Sequence, residues 1–65
     1  MIAIIYQRNI CDGTLEFDEV ISNVKSIKDI GGERLSVMSI DFVNVDNRIM
    51  NRCIRMDGSI EVRIE

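Results

Sequence analysis

The chain has 65 residues, a net charge of −3, no histidine and only two cysteines. This removes the usual neutral-pH proton carrier, and neither a Cys–His nucleophile nor a closed structural zinc site can be built within one chain. No apolar run approaches the roughly 18 residues of a membrane span. No secretory signal pattern opens the sequence, so a cytoplasmic protein without membrane association or cofactor is expected.

A domain this short buries only about 60% of the surface its unfolded chain exposes, so stability is marginal without a staple. Disulfides are not expected in a reducing compartment, and Cys11 and Cys53 read as small buried hydrophobes. Self-association is the remaining staple, with a homodimer as the expected form. Twelve isoleucines and six valines against two leucines tilt the core toward sheet, because β-branched side chains pack well on a pleated surface.

Ile2, Ile4 and Tyr6 alternate with Ala3, Ile5 and Gln7, the period of a strand. Asp12-Gly13 follows, a two-residue hairpin signal that sets Cys11 opposite Thr14, Ile10 opposite Leu15 and Arg8 opposite Phe17. That register groups Ile2, Ile4, Tyr6, Ile10, Leu15 and Phe17 on one face, expected to be the buried one. A helix is then predicted over about residues 18–30. Phe17, Val20, Ile21, Val24, Ile27 and Ile30 form its apolar stripe, Asp18 caps it and Gly31-Gly32 stops it. This stripe would cover the hairpin's apolar face.

From about Leu35 to Val45, Met38, Ile40 and Phe42 alternate with Ser39 and Asp41, which predicts a half-buried strand. Residues 46–56 read two ways. As a strand they pair with Ser59–Glu65 through Asp57-Gly58, with Arg52 opposite Arg63. As a helix they place Ile49, Met50, Cys53, Ile54 and Met56 on one face, with Asp46 as cap. The phrase Asp57-Gly58-Ser59-Ile60-Glu61-Val62 repeats Asp12-Gly13-Thr14-Leu15-Glu16-Phe17, which favours a second hairpin. Ile60, Val62 and Ile64 alternate with Glu61 and Arg63 in a last strand, the candidate sheet edge. The expected fold is therefore α+β: a curved, mostly antiparallel sheet in the order β-β-α-β-(β or α)-β, with one amphipathic helix on one face. It forms a single compact domain over residues 1–65.

Two surface features carry functional content. Residues 10–33 hold six acids against two lysines, whereas residues 47–63 hold four arginines against two acids. Arg48, Arg52 and Arg55 could hold an anionic ligand or nucleotide, because guanidinium forks match carboxylate and phosphate. Asp12, Glu16, Asp18, Glu19 and Asp29 form an acidic face suited to a protein partner. Nucleic acid is disfavoured: the arginines have no aromatic among them for base stacking, and the protein is acidic. Paired Glu16 and Glu61 read as solvated strand-face acids, not as a glycosidase pair. The residues thus point to a non-catalytic protein that acts by protein–protein contact. Its expected role is as an inhibitor or modulator of a larger target, a profile common among proteins carried by phages and other mobile elements. A sequestering oligomer for an anionic ligand and an accessory structural subunit are the alternatives.

Overall fold

The computed structural model describes residues 1–65 and contains six strands and no helix. They are β1 (Ala3–Arg8), β2 (Leu15–Ile21), β3 (Val24–Asp29), β4 (Val37–Val43), β5 (Ile49–Arg55) and β6 (Ile60–Ile64). Two three-stranded antiparallel sheets form, in the orders β2-β1-β6 and β3-β4-β5. The α+β expectation is therefore corrected to an all-β fold. Residues 18–30 are not a helix but two strands joined at a corner, Ser22-Asn23.

The corner explains the false helical stripe. The register of β2 on β1 slips between Ile5 and Tyr6, leaving Asp18 unpaired, and that of β3 on β4 slips at Lys25. Each such bulge inserts one residue into a period of two, and so shifts the phase of the pattern. Ile21 and Val24 then both reach the core, with Ile27 packed beside them, at a spacing of three that imitates a helix. Asn23 adopts a left-handed φ of 56°, which asparagine tolerates better than most residues. Main-chain bonds tie the corner to both sheets: Val24 N–H donates to Met1 O at 3.0 Å and Val43 N–H to Asn23 O at 3.1 Å.

The first hairpin exists, but its turn is longer than two residues. Asn9 N–H donates to Thr14 O at 2.7 Å and Gly13 N–H to Asn9 O at 2.9 Å, so Ile10–Gly13 form the loop. Arg8 lies opposite Leu15 and Tyr6 opposite Phe17. Two side-chain-locked turns in succession account for the length: Asn9 Oδ1 accepts from Cys11 N–H at 2.8 Å, and Asp12 Oδ1 accepts from Thr14 N–H at 2.9 Å. The slip is two residues, so Ile2, Ile4, Tyr6, Leu15 and Phe17 still share one side of the sheet. That side is the outer one. The core side carries Ala3 and Ile5 from β1 and Ile21 from β2, packed against Val24, Ile40 and Ile54 of the other sheet.

Residues 46–56 resolve as strand, with β5 at their centre. Its partner is β4, however, not the C-terminal strand, which pairs with β1. Arg52 consequently faces Ile40 and not Arg63. Val45-Asp46-Asn47 makes the β4–β5 turn, with Asn47 left-handed at φ 61° and Asn44 Oδ1 accepting from Asp46 and Arg48 N–H. The second Asp-Gly phrase builds the same local structure as the first. Asp57 Oδ1 accepts from both Ser59 N–H and Ser59 Oγ, as Asp12 Oδ1 does from Thr14, and Gly58 and Gly13 both take positive φ. One copy closes a hairpin and the other carries the chain from sheet to sheet. Cys11 and Cys53 are exposed free thiols, which corrects their expected burial.

Only six side chains are buried, with Ile5 and Ile40 the largest fully enclosed. The chain exposes 4872 Å², against about 4200 Å² for a compact monomer of its mass. Its radius of gyration is 12.6 Å, against about 10.7 Å for a compact domain of this length. The packing predicts a sharp asymmetry between the two sides of β1. In urea denaturation Ile40→Ala will cost about 3 kcal/mol, whereas Ile4→Ala on the outer side will cost less than about 1 kcal/mol.

Candidate protein-interaction surface

The outer side of sheet β2-β1-β6 carries an apolar surface built on paired strands. Cross-strand pairing aligns Val20 with Ile4 and Phe17 with Tyr6, and places Leu15 beside Arg8. The Tyr6 and Phe17 rings meet edge to face at 6.4 Å between centroids, a favoured aromatic geometry. Phe17 is nonetheless 64% exposed and Val20 50% exposed. On the far border Arg63 lies opposite Ile4 and Glu61 opposite Tyr6. The Arg63 guanidinium sits 5.2 Å from the Tyr6 ring centroid, in cation–π range. The surface is thus aromatic at its centre, aliphatic on one flank and zwitterionic on the other.

Of the acidic candidates, Asp12, Glu16, Asp18 and Glu19 fall on β2 and its turn, while Asp29 lies in the other sheet at the end of β3. Asp12 is spent on the turn. Asp18, the bulge residue, accepts from Gln7 Nε2 at 3.2 Å, and Glu16 from Asn9 Nδ2 at 3.4 Å. Asp29 accepts from Gly31 N–H at 3.1 Å. Glu16, Asp18 and Glu19 lie along the free border of β2, where charge and a bulge discourage edge pairing.

The arginines do not converge. Arg55 has the parity of the outer side of β3-β4-β5 and Arg52 that of the core side, whereas Arg48 lies before β5 at the end of the turn. Arg52 is committed to Glu19, with Nη2 at 2.6 Å and Nε at 3.1 Å from one carboxylate oxygen. Hydrogen bonding to Glu19, and then its charge, raise the Arg52 guanidinium above its ordinary value. The pair has a structural meaning. Glu19 is the cross-strand neighbour of Ile5, and Arg52 that of Ile40. An ionic clasp therefore joins the two edge strands beside the two most enclosed side chains.

The outer side of β3-β4-β5 carries a polar row instead. Asp41 accepts from Asn51 Nδ2 at 2.7 Å and from Ser26 Oγ at 3.0 Å, and Asn51 Nδ2 also reaches Ser39 Oγ at 2.7 Å. The Asn51 and Ser26 hydrogen bonds, with help from the Lys28 charge, hold the Asp41 carboxyl below its ordinary value. Bonds from Thr14 and Ser59 do the same to Asp12 and Asp57.

A cavity of about 340 Å³ opens between the corner and the β4–β5 turn, lined by Val20, Ile21, Phe42, Val43 and Val45 with Glu19 at its rim. It continues the apolar surface at Val20. Nowhere do three acid or cysteine side chains converge as metal ligands, and no helix is long and apolar enough to cross a membrane. None of the residues that build this surface was a candidate site residue in the sequence: Ile4, Tyr6, Leu15 and Phe17 read as a buried face, Val20 as part of a helical stripe and Arg63 as a strand residue. Alternation about Ile4 was the available signal, hidden for Val20 by the bulge at Asp18. No protein-family model, curated protein or solved structure matches the chain.

Two measurements test this electrostatic layout. A double-mutant cycle on Glu19→Gln and Arg52→Gln will return a coupling of no more than about 1 kcal/mol, as the pair is half exposed. Because folding lowers the Asp12, Asp41 and Asp57 carboxyls from 3.8, the folded form binds fewer protons than the unfolded chain. Their contribution is complete above that value and is lost as pH falls through the lower, folded values. Urea midpoints will therefore hold steady above about pH 5 and drop below about pH 4, less steeply in Asp41→Asn.

Proposed function

We propose that the chain is a non-catalytic protein-binding domain that modulates or inhibits a larger protein by contact. The observation carrying this reading is the apolar surface on which half-buried Ile4, Tyr6 and Leu15 lie beside exposed Phe17 and Val20. An ordered apolar patch rimmed by charge is the usual form of a recognition surface, and aromatic residues with arginine are enriched at such interfaces. Here the patch is built on paired strands, so it is presented without an ordering cost on binding. Its borders define the complementary partner. Along β2, Glu16 and Asp18 favour basic groups; along β6, Glu61 and Arg63 favour a mixed rim. The two exposed free thiols suit a reducing compartment, and a cytoplasmic location belongs to the same proposal.

The anionic-ligand alternative gains no support from the geometry, since Arg52 is held by Glu19 and Arg55 lies on the other face. Affinity capture with the tagged chain, followed by purified binding measurements, tests the proposal. Phe17→Asp and Val20→Asp will each weaken the captured complex by at least about tenfold. Lys25→Glu, on the other sheet, will leave it unchanged. A complex indifferent to both substitutions at the patch contradicts the assignment.

A further inference from the structure

Four strand edges are open in this fold, and they differ in what they permit. β2 is bulged at Asp18 and β3 at Lys25, which breaks the regular template a second strand needs. β5 is regular but carries Arg52 and Arg55, with Arg48 just before it and no acid, so a second copy of itself is repelled. β6 is regular, and in Ile60-Glu61-Val62-Arg63-Ile64 apolar residues sit symmetrically about Val62 while the two charges flanking it are opposite in sign.

The backbone of β6 is oriented for the same event. Ile2 and Glu65 exchange both main-chain hydrogen bonds, at 2.7 and 2.9 Å, and Arg8 N–H donates to Ser59 O at 2.7 Å. Antiparallel pairing alternates, so odd-numbered residues of β6 bond inward to β1. Ile60, Val62 and Ile64 then turn their N–H and C=O groups to the free edge.

We infer that β6 pairs antiparallel with β6 of a second copy about a two-fold axis at Val62, joining the two β2-β1-β6 sheets into one. In this register Ile60 meets Ile64 of the second copy and Val62 meets its own equivalent, so every outward main-chain group finds a partner. On the outer side Glu61 meets Arg63 of the second copy, twice by symmetry. Moving the axis to Glu61 or to Arg63 sets like charges opposite each other and leaves outward groups unpaired, so the sequence selects one register. Symmetry of this kind is the commonest form of self-association. Both outer surfaces would lie on one side of the joined sheet. The inference goes beyond the proposed function and does not rest on it.

Sedimentation equilibrium of the purified chain tests it. The wild type is expected to run at twice 7.4 kDa. Glu61→Arg will raise the dimer dissociation constant at least about tenfold by placing arginine against arginine. The double exchange Glu61→Arg with Arg63→Glu will restore the dimer, because residue 61 then again meets an opposite charge at residue 63 of the second copy. Val62→Pro removes an N–H that bonds nothing within one copy, so it will give a folded monomer by circular dichroism. A wild type that stays monomeric overturns the inference. So does a dimer that neither Glu61→Arg nor Val62→Pro weakens, or one that the double exchange fails to restore.

Discussion

The bend at Ser22-Asn23 decides which side of the first hairpin is buried. Were residues 18–30 a helix, they would return over Ile4, Tyr6 and Phe17 and bury them. The chain instead stays extended, turns once at a left-handed asparagine and lays a second sheet over the opposite side. Ala3, Ile5 and Ile21 become core, and the aromatic side is left facing solvent. Fold, stability and the exposed aromatic side all follow from that choice of side.

A core of six buried residues is small even for this length, and the molecule manages its openness at the edges. Glu19 and Arg52 close the gap beside Ile5 and Ile40 with an inward-facing ion pair. Such a half-exposed pair adds little energy, but its charges block strand addition at two edges. Asp18 and Lys25 protect β2 and β3 by bulging. Only β6 lacks a guard of this kind. The same economy leaves a flat aromatic patch uncovered, where a larger domain would have placed another layer.

Much of this was legible in the residues. The isoleucine and valine excess announced sheet. Alternation located β1, β4 and β6, and the grouping of Ile2, Ile4, Tyr6, Leu15 and Phe17 survives a two-residue slip in the turn. Period alone, however, could not tell an outer side from a core side: Ala3 and Ile5 are as alternating as Ile4 and Tyr6, and only the second sheet distinguishes them. The helix failed for a related reason. Ile21, Val24 and Ile27 keep helical spacing because a corner and a bulge each displace a period of two, and nothing local marks either. Five β-branched residues within 18–30 did argue against a helix. The repeated Asp-Gly phrase marks a turn in both copies, but the second does not close the hairpin read from it, because a turn does not say whether the next strand returns to its predecessor or crosses to another sheet. The acidic candidates proved mostly contiguous because one strand carries them. The arginines did not, since Arg55 and Arg52 point to opposite sides of β5.

Nuclear Overhauser contacts among side chains address the choice of side directly. Methyls of Ala3 and Ile5 should show contacts to those of Val24, Ile40 and Ile54, while the Phe17 ring shows contacts to Tyr6 but none to the β3-β4-β5 sheet. Contacts from the Tyr6 and Phe17 rings to Val24 and Ile27, together with sequential helical contacts through residues 18–30, would contradict the account.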